Sequence, residues 1–153
     1  MRWTPGLLRR ALNIYGPFIG AGIRITHIDP EWREMRVSMK LRWYNRNIMG
    51  THFGGSLYAM VDPQMMLMLM NRLGKGYVVW DQAAEIEYLK PARGTVQAQL
   101  SLTDQQLDEI IRQAASGAPL RPAFDIAICD EHGEVVTRVK KILYVRKKVA
   151  KPE

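Results

Sequence analysis

Hydrophobic and polar positions alternate in short runs along most of this chain, and three stretches replace the alternation with a helical period. The alternation is cleanest from Val37 to Trp43: Val37, Met39, Leu41 and Trp43 fall on one face, Ser38, Lys40 and Arg42 on the other, as in a half-buried strand. Similar patterning places strands at 19–29 and 33–43, joined by a turn around Asp29-Pro30, and at 77–89, 94–102, 122–129 and 134–146, the last two meeting at His132-Gly133. In 77–89 the reading assigns Val78, Trp80, Ala84, Ile86 and Tyr88 to one side, with Asp81 alternating away from Trp80. A first helix begins at Thr4 as cap and Pro5 as first position, turns Leu8, Ala11, Leu12 and Tyr15 to one face, and is predicted to stop at Gly16-Pro17. A second spans about 104–115, with Thr103 and Gln106 as a capping box and Leu107, Ile110, Ile111 and Ala114 as its stripe.

Residues 54–73, GGSLYAMVDPQMMLMLMNRL, are long enough for a helix and apolar almost all round, which predicts burial on every side. Pro63 is expected to remove one backbone hydrogen bond and kink it. The order is then helix, two strands, long buried helix, two strands, short helix, two strands. That order predicts an α+β domain in which a curved antiparallel sheet wraps one long central helix. We expect a single domain over 1–153, with an N-terminal helix in 1–17 and a basic tail in 147–153.

Composition narrows the class. At 153 residues and 47% hydrophobic content the chain suits one folded domain. The single Cys129 excludes an intramolecular disulfide and any cysteine-based metal cluster, and points weakly to a cytoplasmic setting. The longest aliphatic run, Met65 to Met70, falls far short of the roughly 20 residues of a membrane span, and no signal peptide is read at the N-terminus. A net charge of +7 favours anionic partners, and much of it sits in the terminal VRKKVAKPE. With no helix-turn-helix or RNP motif, nucleic acid is not expected, while a phosphorylated ligand such as coenzyme A fits.

The chemistry concentrates in NIMGTHFGGSLYAMVD, residues 47–62. Gly54 and Gly55 stand where a loop becomes a helix. A helix start leaves N–H groups unpaired and carries the positive end of the dipole, and glycine lets a ligand approach that backbone closely. This suits a carbonyl oxygen that gains negative charge when attacked. Asp62, two turns past Gly55 on the predicted helix, is a carboxylate in apolar surroundings and a candidate general base or nucleophile; a buried structural hydrogen bond is the plain alternative.

The stretch resembles the signature of hotdog-fold acyl-CoA thioesterases of the PaaI (phenylacetyl-CoA) type: an amide residue, five residues, His-Gly-Gly, six residues and an acid. Asn47 matches the amide, Gly54-Gly55 the glycines and Asp62 the acid. The segment IEYLKPARGTVQAQ is similar to the family's next two strands, and the likeness spans about 19–146. GTHFGGSLY followed by VVWDQAAEIEYLKPAR also resembles a branch of such thioesterases with no assigned activity. The resemblance implies that a glycine N–H polarises the thioester carbonyl, that the carboxylate activates water or attacks, and that the amide positions thioester or water. It also implies edge-to-edge dimers, with sites shared between subunits and dimers that pair again. Two features depart from the pattern. Phe53 stands where the family has histidine, with His52 one place early, and the excursion over about 104–120 is longer than a plain connection needs.

The sequence therefore predicts a homodimeric or homotetrameric acyl-CoA thioesterase with Asp62, Gly54, Gly55 and Asn47 as catalytic residues. His52, Phe53 and Ser56 beside them are assigned to substrate binding, together with Met60 and Met65 in an acyl pocket and Lys90 and Arg93 at the nucleotide phosphates. No metal or organic cofactor is expected beyond the coenzyme A of the substrate. The rival reading is a non-catalytic acyl-CoA or acyl-carrier binding module, favoured by Phe53; a hotdog dehydratase fits the spacing poorly.

Overall fold

The computed structural model describes residues 3–148, so most of the expected basic tail lies outside the described residues. The elements in chain order are α1 (Pro5–Asn13), α2 (Gly16–Ala21), β1 (Ile23–Ile28), β2 (Glu34–Lys40), α3 (Gly54–Ala59), α4 (Gln64–Leu73), β3 (Tyr77–Tyr88), β4 (Thr95–Ser101), α5 (Asp104–Ala114), β5 (Ala123–Cys129) and β6 (Val135–Lys147). The strands form one six-stranded sheet in the order β1-β2-β4-β5-β6-β3, with every pairing antiparallel. The fold is α+β: a curved antiparallel sheet holding the α3–α4 segment against its inner face.

That inner face is built from strand alternation. Ile23 and Ile25 of β1, Met35, Val37 and Met39 of β2, and Val96, Ala98 and Leu100 of β4 point inward. Phe124, Ile126 and Ile128 of β5 continue the face, as do Val139, Leu143 and Val145 of β6. Met60, Val61, Met65, Met68 and Leu69 fill the space opposite, where unbranched methionines suit an irregular gap. Burying each such side chain contributes on the order of 1.5–3 kcal/mol.

Five expectations need correction. Gly16-Pro17 does not end the first helical region but opens α2, because Pro17 is preorganised for a first turn and Gly22, at φ 76°, closes it; residues 19–21 are therefore helix, not strand. Trp43 leaves the row of Val37 and Met39 and is 82% exposed. The cause is Asn45, whose Oδ1 accepts from Arg42 N at 2.6 Å while its Nδ2 donates to Lys40 O and Ala21 O, folding the chain out of the sheet. The long central helix is two helices, α3 and α4, separated at Met60–Pro63, where Pro63 has no N–H to continue the ladder. Asp62 consequently lies in that break instead of on a helix face. In β3 a bulge between Asp81 and Ala83 reverses the alternation. Before it Tyr77 and Val79 face the core; after it Ala84 and Ile86 do, and Trp80 stacks on Tyr144 away from the core at 4.2 Å.

The capping expectations are met. Thr4 Oγ1 accepts from Leu7 N, and Thr103 and Gln106 form the reciprocal box at the start of α5.

Candidate active site

Phe53 is the N-cap of α3 and offers no side-chain acceptor, so the first N–H groups of the helix, those of Gly54 and Gly55, receive no cap. A Cβ at 54 would stand 3.1 Å from Cζ and the hydroxyl of Tyr88, whose O–H donates to Gly54 O at 3.1 Å, so the Tyr88 ring would have to shift to admit it. The exposed Phe53 ring lies over Gly55.

Beside Gly54 opens a cleft of about 470 Å³ lined by Asn47, His52, Leu57, Tyr88, Lys90 and Arg93, among others. It gathers five of the residues singled out in the sequence. Their bonding is specific. Asn47 Oδ1 accepts from Met49 N and Thr51 N, and its Nδ2 donates to Thr51 Oγ1 and His52 O, so its amide shapes the loop. His52 is buried, with Nε2 2.9 Å from Gly94 O and Nδ1 enclosed without a partner. Burial holds its pKa below the ordinary value, and the Gly94 carbonyl only partly opposes this. Lys90 pairs with Glu134 and, at 3.4 Å, Asp130, while Arg93 Nη1 donates to Gly50 O at 3.3 Å. Ser56 lies with Phe53 in a separate shallow pocket against Tyr44 and Asn45. Met60 and Met65 are buried core residues that do not line the cleft.

Asp62 belongs to a second cluster. Lys141, in the inward row of β6 between Val139 and Leu143, has no exposed side-chain surface. Its Nζ donates to Asp62 Oδ1 at 2.5 Å and to the Tyr58 hydroxyl at 2.8 Å. It also lies 3.0 Å from Asp81 Oδ1, at an angle outside hydrogen-bond geometry, so that contact is electrostatic. Burial alone would pull the Lys141 pKa down; the bonds to Asp62 and Tyr58 and the Asp81 charge more than offset it, and Lys141 is a firm cation. Burial raises Asp81, with Lys141 opposing and Asp62 adding to the rise. Burial first and the Asp62 carboxylate second also hold the Tyr58 phenol above its usual value.

Both regions border β3. Tyr88 meets Gly54 at one end of β3, and Asp81, at the other side of the bulge, shares Lys141 with Asp62. Sequence reasoning missed Tyr58 and Lys141. The available signal was a lysine in the apolar row Val139–Leu143–Val145, disguised by the neighbouring Lys140. Among the described residues, no group of three His, Cys, Asp or Glu side chains is placed to hold a metal ion.

The chain belongs to the family described as a domain of unknown function, DUF4442, whose model matches residues 6–145. No curated protein matches it in sequence. Among solved structures it is similar to a Pseudomonas aeruginosa protein of unknown function described as a probable thioesterase, at 17% identity and a TM-score of 0.84, over 97% of this chain and 99% of that one. A Haemophilus influenzae thioesterase is likewise 17% identical, with a TM-score of 0.68 over 96% and 93% of the two chains. A Staphylococcus aureus thioesterase, studied as a variant, is 13% identical, with a TM-score of 0.60 over 84% and 97%. These likenesses establish a fold shared with thioesterases. No helix among the described residues is long and apolar enough to cross a membrane.

Proposed function

We propose that this chain is an acyl-CoA thioesterase of the hotdog fold, with Asp62 as its reacting carboxylate. The observation that carries the reading is Asp62 itself. It is 43% exposed, placed in a break in the central helix and held from behind by a buried ammonium. Partly open, it can reach a bound thioester, which a fully covered carboxylate could not. The thioester carbonyl accepts from the uncapped N–H groups at the start of α3, which stabilise the oxyanion. Asp62 takes a proton from water as it attacks the carbonyl carbon, giving the acid directly; or Asp62 attacks that carbon itself, and water then hydrolyses the resulting acyl-Asp62 anhydride to release the acid and regenerate the carboxylate. In either route the C–S bond breaks, and coenzyme A leaves as a thiolate that is protonated to the thiol. The reaction as proposed uses water and the chain's own groups.

Assembly completes the site in this reading. Among the described residues β3, a twelve-residue strand, has one edge unpaired, the kind of edge that invites pairing with another chain. In this reading antiparallel pairing of two β3 strands runs the Asp81 end of one beside the Tyr88 end of the other, so that the two subunits share each site.

The test is release of free thiol from acetyl-, octanoyl-, palmitoyl- and benzoyl-CoA. Wild type turns over at least one of them, and Asp62→Asn loses about 100-fold or more in kcat, the scale of a lost acid–base group, while remaining folded. Absence of turnover on every thioester refutes the reading. A binding module is the second reading, favoured because Asn47 and Lys90 are already committed to contacts within the chain. Its mark is acyl-CoA bound without turnover, and bound equally by Asp62→Asn.

A further inference from the structure

Lys141 is the only buried lysine or arginine among the described residues, and the proposed reaction gives it no chemical step of its own. Stability alone does not account for it. A hydrophobe in that inward row would avoid the cost of desolvating an ammonium, and replacing buried ion pairs by apolar side chains is often neutral or favourable. The arrangement is also graded: the Lys141 side chain is 0% exposed, Asp81 27% and Asp62 43%, so the cation stands at the back and the carboxylates face outward. One positive charge serves two negative ones. Asp62 lies where neither α3 nor α4 fixes the backbone, and Lys141 is the group that holds its carboxylate.

We propose that Lys141 is the positioning residue of the site: its ammonium fixes the Asp62 carboxylate at the α3–α4 break and, being shared with Asp81, leaves one carboxylate charge free to receive a proton. This rests on Asp62 being the reacting carboxylate. The titratable groups facing Lys141 are Tyr58 of α3, Asp62 of the break and Asp81 of β3. Its cross-strand neighbours, Ala84 of β3 and Phe124 of β5, and the flanking inward residues Val139 and Leu143 of β6 are uncharged. Removing the ammonium leaves two carboxylates facing each other. They then protonate more readily, and the group that takes the proton is no longer held.

The experiment compares Lys141→Met, Lys141→Arg and the charge-balanced double variant Lys141→Met/Asp81→Asn with wild type. Two readouts are followed: kcat and KM against pH on the best acyl-CoA, and the ¹³C-carboxyl titration of Asp81. Lys141→Met is expected to lower kcat by about 10- to 100-fold, as loss of an orienting partner does elsewhere, with KM little changed. Its acid limb moves to higher pH by about one to three units, the scale of a lost opposite charge at this range. Lys141→Arg recovers most of the rate. If Lys141→Met does not fold, the double variant, which relieves the repulsion, carries the kinetic comparison. A folded variant without the ammonium that keeps the wild-type kcat and pH profile overturns the proposal. Should wild type itself hydrolyse no thioester, the functional reading falls separately and the carboxyl titration decides. An upward move of the Asp81 titration in Lys141→Met upholds the charge coupling, and an unmoved one ends it.

Discussion

A methyl group added at Gly54 would meet the Tyr88 ring, but Tyr88 is exposed and can yield. Alanine also favours a helix over glycine by roughly 0.5–1 kcal/mol, so Gly54→Ala should barely move the melting temperature. Thioester turnover should nonetheless drop about tenfold or more, because the new Cβ stands where the carbonyl must approach the N–H groups and one lost oxyanion contact costs at least that much. Calorimetry beside kcat/KM separates the two effects. His52 makes a pH prediction. Burial depresses its pKa, so below the ordinary value of 6.5 the unfolded chain takes up a proton before the folded one does. Stability therefore falls as pH drops through 6.5 towards the folded-state value. Chemical denaturation at stepped pH should show that slope in wild type and a shallower one in His52→Gln. At this scale the sequence displays half of the candidate site. Asn47, Gly54 and Asp62 are legible from spacing along one segment, whereas Asp81 and Lys141 meet through the pairing of β3 with β6 and Tyr58 through the packing of α3 on the sheet, which no local pattern records.

Elements whose signals are local were read well. Thr4, Thr103 and Gln106 announce helix starts within four residues of chain, and the structure uses them as caps. Thr103→Ala should cost about 1 kcal/mol, the usual loss of an N-cap, and lower the melting temperature by about 2–4 °C for a chain of this size. A thermal scan checks it; no change would mean that packing of α5, not its cap, decides whether the helix forms. Elements that depend on contacts across the fold were misread. β2 ends early because Asn45 captures Lys40 O and Ala21 O, a side chain acting on backbone 24 residues away. β3 changes face at its bulge because Asp81 and Lys141 pair on the inside while Trp80 and Tyr144 stack on the outside. The α3–α4 break was foreshadowed by Pro63. Its consequence was not: Gln64, fully buried, bridges the gap by donating to Met60 O at 2.8 Å.

For the whole molecule, the open edge of β3 is the feature with most bearing on behaviour in solution. A dimer formed there would show about twice the 17.6 kDa chain mass by light scattering, with a melting temperature that rises with protein concentration. A chain of single mass at every concentration would remove the shared-site geometry while leaving Asp62 and Lys141 testable. The strand order has a further consequence, for synthesis. β3 has one neighbour in the sheet, and that neighbour is β6, the last of the described strands to be made. While a ribosome adds α5 and β5, β3 has its helix beside it but no strand to bond to, and Asp62 and Asp81 have no ammonium between them. The edge, the bulge and the charge cluster thus come into being together, in one late and long-range step, and a nascent chain halted before β6 presents an unpaired strand to whatever it meets.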